Sequence, residues 1–454
     1  MKKFAWILIL LFAAHRMVTA QEQTGGSTEI PGEGQIEELR KALQDVKKSV
    51  DKTNKLKFSG YIQAQYQFTD SQGTSQWKAG DFAGGTFPSN VKSRFAVRRG
   101  RLKAAYDNGL SQFVLQVDVT QNGVGIKDAY VAVTEPWFKT ATFFIGASDR
   151  PFGYEISYSS SKRESPERSR MYQTLFPGER EIGVKAEIFP KKEAGLWSHF
   201  NLKAGVFNGV LNTANENDDN KDIIGRVGFT MPVKTMNLVV DGGISMYSGK
   251  ITSNSAEVYR ISNKSFVRDS SSSNILASFD RKYLGFDAQA YYELPVIGAM
   301  QIRGEYISGD QPGTASSGSF YNPGTVQTVS GTSVKAIPDV QPVYRRKFAG
   351  MYVMYVQNAG KKNQAVVKYD IYDPNTGVKG SDIGVGSKTS PADIKFNTLG
   401  LGWIYHWDDN VKLTAYYEMV QNEKVNNAAT SSALVRFRKD VKDNVFTFRV
   451  QYRF

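Results

Sequence analysis

The feature that most constrains the fold is an alternation of apolar and polar side chains that begins near residue 57 and continues to the C-terminus. The last eleven residues, 444–454, read NVFTFRVQYRF. A period of two indicates a β-strand with one apolar and one polar face. Sixteen segments share this pattern: 57–69, 91–106, 111–121, 126–135, 140–149, 179–190, 198–208, 222–232, 235–248, 281–294, 297–309, 345–357, 363–373, 394–408, 410–422 and 444–454.

The connections between these segments alternate between short and long. The long ones are 70–90, 150–178, 249–280, 310–344, 374–393 and 423–443, with 122–125 and 209–221 shorter. Short turns at one end and long loops at the other are typical of outer-membrane barrels, whose strands of about ten residues cross the bilayer at a tilt. We therefore predict an all-β fold, a 16-stranded antiparallel transmembrane β-barrel over 57–454. An even strand number places both chain ends on the short-turn, periplasmic side.

The amino-terminal segment has the pattern of a secretory signal peptide. Lys2 and Lys3 precede an apolar run over 4–14, and a small-residue site ends at Ala20. The apolar run is too short for a stable membrane anchor, which predicts cleavage after Ala20. Residues 21–34 are rich in Gly, Ser, Thr and Glu and are predicted to form a flexible leader.

Residues 35–56 show a different period. Apolar side chains recur at spacings of three and four, which is the seam of a coiled coil: Ile36, Leu39, Leu43, Val46 and Val50. We expect a short periplasmic α-helical coiled coil that mediates oligomerisation. The alternative is a single amphipathic helix lying on the barrel.

Composition excludes several classes of function. The chain has no Cys and only three His residues, and His15 leaves with the signal peptide. Neither His199 nor His406 has the sequence context of a catalytic triad, so we expect no enzyme, no metal site and no cofactor. The net charge of +13 is spread along the chain, which argues against a nucleic-acid partner. The mean hydropathy of −0.39 argues against a bundle of membrane-spanning helices.

The second predicted strand concentrates basic residues. If apolar side chains face lipid, Phe95 and Val97 direct Arg94 and Arg98 inward, whereas Leu102 directs neighbours of the opposite parity inward. A β-bulge near Arg98 and Arg99 would reconcile the two. Either these cations form a basic track for anions, or they balance Asp118 and Asp128 on neighbouring strands. The candidate anion contacts in this strand are Arg94, Arg98, Arg99, Arg101 and Lys103.

The connection 150–178 is a candidate constriction loop; it is the third connection at the long-loop end, counting 122–125, and is called the third long connection. A loop of this length is able to fold into the lumen and narrow it, and the alternative is a surface loop with solvated charges. Its cations, together with one on the following strand, complete the candidate anion contacts: Arg150, Lys162, Arg163, Arg168, Arg170 and Lys185.

Several motifs between residues 57 and 230 resemble the phosphate-selective porin O/P family. They read GASDRPFGYE at 146–155, ERS at 167–169, PGEREIGV at 177–184, DAYV at 128–131 and GVFNG at 205–209, beside the Arg-rich second strand. The resemblance implies a trimeric outer-membrane channel whose third loop folds inward. It also implies that the Arg-rich strand and the loop cations contact anions.

These observations predict an outer-membrane porin of a Gram-negative bacterium. We expect passive diffusion of small hydrophilic solutes, with a preference for anions such as phosphate. The expected partners are these solutes, outer-membrane lipid and two further copies in a homotrimer. The alternative is a structural or partner-binding barrel whose loops occlude the lumen. The terminal Phe454 resembles the signal read by outer-membrane assembly machinery.

Overall fold

The computed structural model describes residues 37, 40–45, 55–73, 79–84, 87–212, 215–216, 218–321, 325–330, 333–338 and 340–454. The chain divides into two units, Met1–Lys55 and Leu56–Phe454. In the first unit the described residues 37 and 40–45 are helical, and Leu43 is exposed. The predicted signal peptide, the leader and the seam residues Ile36, Leu39, Val46 and Val50 lie outside the described residues. The coiled coil therefore stays a prediction.

The second unit is a closed barrel of sixteen antiparallel strands, which confirms the predicted fold class. Each strand pairs with the next around the ring, and the last strand pairs with the first, from Tyr61–Arg453 to Thr69–Val445. The barrel strands are β1 (Leu56–Thr69), β2 (Ser93–Asp107), β3 (Ser111–Thr120), β4 (Gly123–Thr134), β5 (Ala141–Asp149), β6 (Arg180–Ile188), β7 (Phe200–Phe207), β8 (Asp222–Val233), β9 (Leu238–Thr252), β12 (Ser278–Leu294), β13 (Gly298–Gly313), β16 (Val343–Ala359), β17 (Asn363–Asp373), β18 (Phe396–His406), β19 (Val411–Asn422) and β20 (Val445–Arg453).

Two hairpins and several short helical segments lie in the connections. The hairpins are β10 (Glu257–Ser262) with β11 (Ser265–Ser270), and β14 (Thr325–Ser330) with β15 (Ser333–Pro338). Strand β10 also pairs in parallel with the start of β16. The α-helix α1 spans Arg170–Leu175, and the 3₁₀ turns are Lys192–His199, Lys234–Met236, Ser272–Asn274, Gly380–Asp382, Pro391–Asp393 and Val435–Arg438. The sequence pattern missed both hairpins because strands of six residues in Ser-rich connections carry little alternation.

Burial along the strands is inverted relative to a soluble sheet. In β1 the polar side chains of Gln63, Gln65 and Gln67 are buried, whereas Ile62 and Phe68 are exposed. An exposed apolar band with a polar interior is the arrangement expected of a barrel in lipid. No helix in the described part of the chain is long and apolar enough to cross a membrane.

One part of the lumen wall is apolar, which corrects the assumption that apolar strand residues face lipid. Buried aromatic and aliphatic side chains of strands between β7 and β19 join one cluster with residues of the third long connection, including its helix α1. The cluster contains Phe152, Ile156, Met171, Tyr172, Leu175, Phe176, Phe207, Ile224, Tyr247, Tyr283, Ile307, Phe348, Tyr352, Met354, Val356, Val366, Tyr372, Ile404 and Tyr416. A loop inserted into the lumen has an apolar face that is more stable out of water, and these apolar wall residues bury it.

Candidate functional site in the barrel lumen

A bulge in β2 brings two consecutive arginines into the lumen. The β1–β2 register steps from Gln63–Arg99 to Ala64–Val97, so Arg98 is an extra residue without a partner across the ladder. This confirms the expected bulge. Bulges re-aim side chains, and here both Arg98 and Arg99 reach the same acceptor.

That acceptor is Glu167 of the third long connection. Both Arg98 and Arg99 bind its carboxylate with two nitrogens, at 2.9 and 2.9 Å and at 3.1 and 2.6 Å. Arg449 donates to Oε1 at 3.0 Å, and Arg163 lies 3.9 Å from Oε2. Four guanidinium groups thus surround one carboxylate, and the group as a whole carries surplus positive charge. We call Glu167 and these four arginines the arginine cluster.

Electrostatics keep the carboxylate of the arginine cluster ionised. Burial alone would raise the pKa of Glu167, but the charges of Arg98, Arg99 and Arg449 hold that pKa well below its usual range. In the same loop, burial and the charges of Arg168 and Arg99 lower the pKa of Arg163 to about 9, so this side chain is still protonated at neutral pH.

A second bulge lies in β4. The β3–β4 register steps from Gln116–Asp128 to Val117–Ile126, which leaves Lys127 as the extra residue. Lys127 forms an ion pair with Glu179 and donates to the Gly178 carbonyl at 2.7 Å. Sequence analysis missed Lys127, Glu167 and Glu179, although the break in alternation at Lys127 was a usable signal. Each bulge directs a cation to a carboxylate in or beside the third long connection.

The other end of the loop is anchored by Glu305 of β13. Its carboxylate accepts the backbone N–H groups of Tyr154 and Glu155, each at 2.7 Å. It also accepts the hydroxyls of Tyr172 and Tyr352. A buried carboxylate with four donors holds the backbone of the loop against the wall.

Glycine is required at position 153 beside this anchor. Gly153 has a φ of 59°, and a Cβ there would overlap the Tyr172 hydroxyl and the Glu305 carboxylate. Its N–H donates to the Ser245 hydroxyl of β9 at 2.9 Å.

Contacts on both sides show that the loop crosses the lumen. Near β1 and β20, Gln63 and Gln451 donate to the carbonyls of Ser160 and Ser161, at 3.1 and 3.0 Å. Strand β9, which contacts Gly153, lies half-way around the ring from β1. Lys412 of β19 also donates to the Ser161 carbonyl, at 3.0 Å.

Two cavities are separated at this crossing. The outer cavity has a volume of 440 Å³ and lies among the long connections, with residues 80–83, 316–319, 391, 392, 394 and 396 in its lining. The inner cavity has a volume of 470 Å³ and reaches the short-turn ends of β1, β2 and β20. Arg168 lines both, and its guanidinium is held by the carbonyls of Glu155, at 2.7 Å, and Ile156, at 2.9 Å.

The remaining predicted residues of β2 have different neighbours. Arg94 donates to Gln67 at 2.8 Å and stacks 4.6 Å from the Phe87 ring centroid. Arg101 binds Asp118 at 3.1 Å, as the charge-balance interpretation expected. Lys103 lines the inner cavity. The same interpretation named Asp128, which instead binds Arg180 of β6 at 2.8 Å.

The other predicted cations do not join the arginine cluster. Arg150 is fully buried, and its Nη1 atom lies 3.7 Å from Oε2 of Glu181. Lys185 binds Asp149 at 2.6 Å. Arg170 lies between the rings of Phe82 and Phe396, 4.0 Å from each centroid, and Lys162 is exposed.

Phe454 completes the closure of the barrel. Its N–H donates to the Gly60 carbonyl at 3.0 Å, and its carbonyl accepts from the Gly60 N–H at 3.2 Å. The side chain is exposed. Its role in assembly stays a prediction.

The two histidines of the barrel make single contacts. His199 Nδ1 lies 2.9 Å from the Thr230 carbonyl oxygen, and His406 Nε2 lies 3.0 Å from the Gln364 amide oxygen. Among the residues that the structure describes, no three His, Cys, Asp or Glu side chains are arranged to hold a metal ion.

No protein-family model matches the chain, and no curated protein matches it. Among solved structures, OprB of Pseudomonas putida is similar with a TM-score of 0.54 at 9% identity, over 90% of this chain and 96% of that chain. An anion-selective porin from Comamonas acidovorans has a TM-score of 0.48 at 12% identity, over 88% and 99%. The outer membrane channel DcaP of Acinetobacter baumannii has a TM-score of 0.48 at 12% identity, over 88% and 97%. The likeness to OprB concerns the barrel fold.

Proposed function

We propose that this chain is an outer-membrane channel of a Gram-negative bacterium, through which small hydrophilic solutes diffuse passively. The supporting observation is the closed sixteen-strand barrel with exposed apolar and buried polar strand faces, crossed by one loop with a cavity on either side. A barrel of this strand number encloses enough space for an aqueous channel. The resemblance of several motifs to the phosphate-selective porin O/P family favours the same function.

The favoured solutes are anions such as phosphate. The arginine cluster holds four guanidinium groups against one carboxylate, and Arg98 remains partly exposed. Lys103 and Arg453 line the inner cavity, and neither makes an ion pair within the described part of the chain. Cations replace part of the hydration of an anion, while several weak contacts still allow it to leave. Arginine adds bidentate binding of phosphate.

Reversal potentials in planar bilayers with a KCl gradient test this proposal. The full-length protein should prefer chloride, and the double variant Arg98→Ala/Arg101→Ala should lose part of that preference. Arg99 is left intact because it is buried against Glu167. Arg268→Ala on the β10–β11 hairpin is the matched control and should behave as the wild type. Cation preference in the wild type, or unchanged selectivity in the double variant, would contradict the anion assignment.

A second function, a structural or partner-binding barrel with an occluded lumen, is favoured by the apolar cluster. That cluster packs the third long connection against strands between β7 and β19, and the hydrogen bonds to Glu305 hold the loop there. Liposome swelling separates the two functions: a channel admits small sugars and salts, whereas an occluded barrel admits neither. Co-purification of a stoichiometric partner would then support the second function.

We extend the proposal to a homotrimer joined by the coiled-coil helix that the sequence predicts over 35–56. An apolar seam without a buried Asn permits three strands. Removal of residues 21–56 should lower the fraction of trimer measured by light scattering in detergent. The double variant Leu39→Asp/Val46→Asp should do the same without shortening the chain. An unchanged fraction of trimer in both variants would show that the predicted helix has no role in assembly.

A further inference from the structure

The outer cavity is lined by acidic side chains that have no part in the proposed anion path. Four carboxylates line it, from Asp81, Asp370, Glu418 and Asp443. The cations in its lining are Arg168 and Arg170. Arg168 is committed to Glu179 and to backbone carbonyls. Acidic side chains therefore outnumber basic ones in the lining of the outer cavity.

Three of these carboxylates each have one buried oxygen atom that accepts no hydrogen bond from the described residues. Within the described part of the chain, Oδ1 of Asp370, Oε2 of Glu418 and Oδ1 of Asp443 are buried and have no hydrogen-bond partner. The side chain of Asp370 is 8% exposed. Buried polar atoms in proteins almost always have partners, so each such atom calls for a missing donor.

The neighbouring cations do not supply that donor. Lys368, two residues before Asp370 in β17, donates to Glu155 at 2.8 Å. Arg170 is held between two aromatic rings, with its guanidinium 4.0 Å from each centroid.

The surroundings define the chemistry of the missing group. No three acidic or histidine side chains in the described residues are spaced to hold a metal ion, which argues against a divalent cation here. The rings of Phe82 and Phe396 already hold one guanidinium by cation–π contact, and this wall suits organic cations. Serine hydroxyls of residues 316, 317 and 319 offer further polar contacts. A volume of 440 Å³ is in the range of small-molecule sites.

We propose that the outer cavity binds a small organic cation, whose ammonium and guanidinium groups donate hydrogen bonds to different members of the set Asp370, Glu418 and Asp443. This site is distinct from the arginine cluster and opposite to it in charge. The inference goes beyond the proposed channel function because binding here does not require conduction. Amine-bearing solutes would accumulate at the end of the barrel that carries the long connections.

Titration calorimetry of the full-length protein in detergent, with agmatine as the probe, tests the site. Agmatine carries both an ammonium and a guanidinium group. The double variant Asp370→Asn/Glu418→Gln should bind about tenfold or more weakly, because tenfold is already the effect of losing one charged contact and this variant loses two. Glu293→Gln is the matched control, since Glu293 is an exposed wall carboxylate near the turn that follows β12. It should bind agmatine within about twofold of the wild type, since no contact is lost.

Asp443→Asn provides a second variant that does not alter a barrel strand, and it should also weaken binding if the double variant fails to fold. Equal agmatine affinity in the wild type and in the folded variants would overturn the inference. Absence of agmatine binding to the wild type would do the same. Conduction without agmatine binding would refute this site and leave the channel. Agmatine binding without conduction would refute the channel and leave this site.

Discussion

Replacement of Glu167 by glutamine is the sharpest perturbation of the lumen. The glutamine side chain retains nearly the same volume but removes the negative charge and one acceptor oxygen. Arg98 and Arg99 both lose their bidentate contact, and Arg449 loses a charged partner. The guanidinium groups that remain repel one another. We expect the segment 159–169 to separate from β2 and β20.

The magnitude follows from the burial of this carboxylate. Glu167 is 3% exposed, and removing one partner of a buried ion pair costs about 3–5 kcal/mol. If that cost is borne by local opening of the loop, amide protection in 159–169 falls on the order of a hundredfold or more. The lost charge also acts on a passing ion. At about 4 Å through water it is worth about 1 kcal/mol, with opposite sign for an anion and a cation. The anion-to-cation permeability ratio therefore rises by about 2 kcal/mol, or roughly thirtyfold.

Hydrogen exchange and bilayer reversal potentials measure the two effects on the same preparation. Glu257→Gln is the matched control, because Glu257 pairs with Arg268 on the β10–β11 hairpin and both side chains are partly exposed. It should change neither measurement. Wild-type protection in 159–169 together with wild-type selectivity in Glu167→Gln would refute the reasoning.

The same contact has a predictable pH dependence. Burial raises the pKa of Glu167, but the surrounding arginines outweigh burial and hold it well below its usual range. A group whose pKa is lowered by folding contributes stability above its unfolded value, about 4.3, and loses it only as the pH falls through the lowered folded value. Protection factors in 159–169 of the wild type should therefore be the same at pH 7 and pH 4.5.

Three further predictions concern the bulge, the loop anchor and the chain end. Deletion of Arg98 should restore a regular β1–β2 ladder, because its flanking residues already pair with Gln63 and Ala64. The barrel should then still fold, as judged by heat-modifiable migration, with weaker anion preference. Gly153→Ala should cost at least about 1–2 kcal/mol from its left-handed φ alone, and should speed proteolysis of the loop. Deletion of Phe454 should lower the amount of barrel recovered from the outer membrane, because closure against Gly60 is lost.

Each of these three predictions would be contradicted by a specific result. An unfolded barrel after deletion of Arg98 would show that the bulge is needed for closure. Wild-type proteolysis of Gly153→Ala would show that the contact with Glu305 does not hold the loop. Normal amounts of the Phe454-deleted barrel in the outer membrane would show that the terminal aromatic residue is not needed for assembly.

Local periodicity determined the barrel strands. The sixteen alternating segments correspond to the sixteen barrel strands, and the segment 363–373 coincides with β17, Asn363–Asp373. Strand direction and pairing order then follow from the alternation of short and long connections. The conflict of parity around Arg98 was also local, so the first bulge was predictable.

The tertiary structure alone decided what the lumen contains. Glu167 lies in an irregular loop, and nothing in its sequence neighbours indicates that Arg98, Arg99 and Arg449 meet on it. The apolar residues of the lumen cluster were wrongly expected to face lipid. A period of two separates the two faces of a strand, but it does not say whether an apolar face contacts lipid or the packed lumen. The carboxylates of the outer cavity come from two wall strands and two long connections. The sequence by itself therefore determined the barrel and its closure, which depend on local patterns. The contents of the lumen depend on where one long loop crosses the barrel, and folding brings together there residues that are hundreds of positions apart.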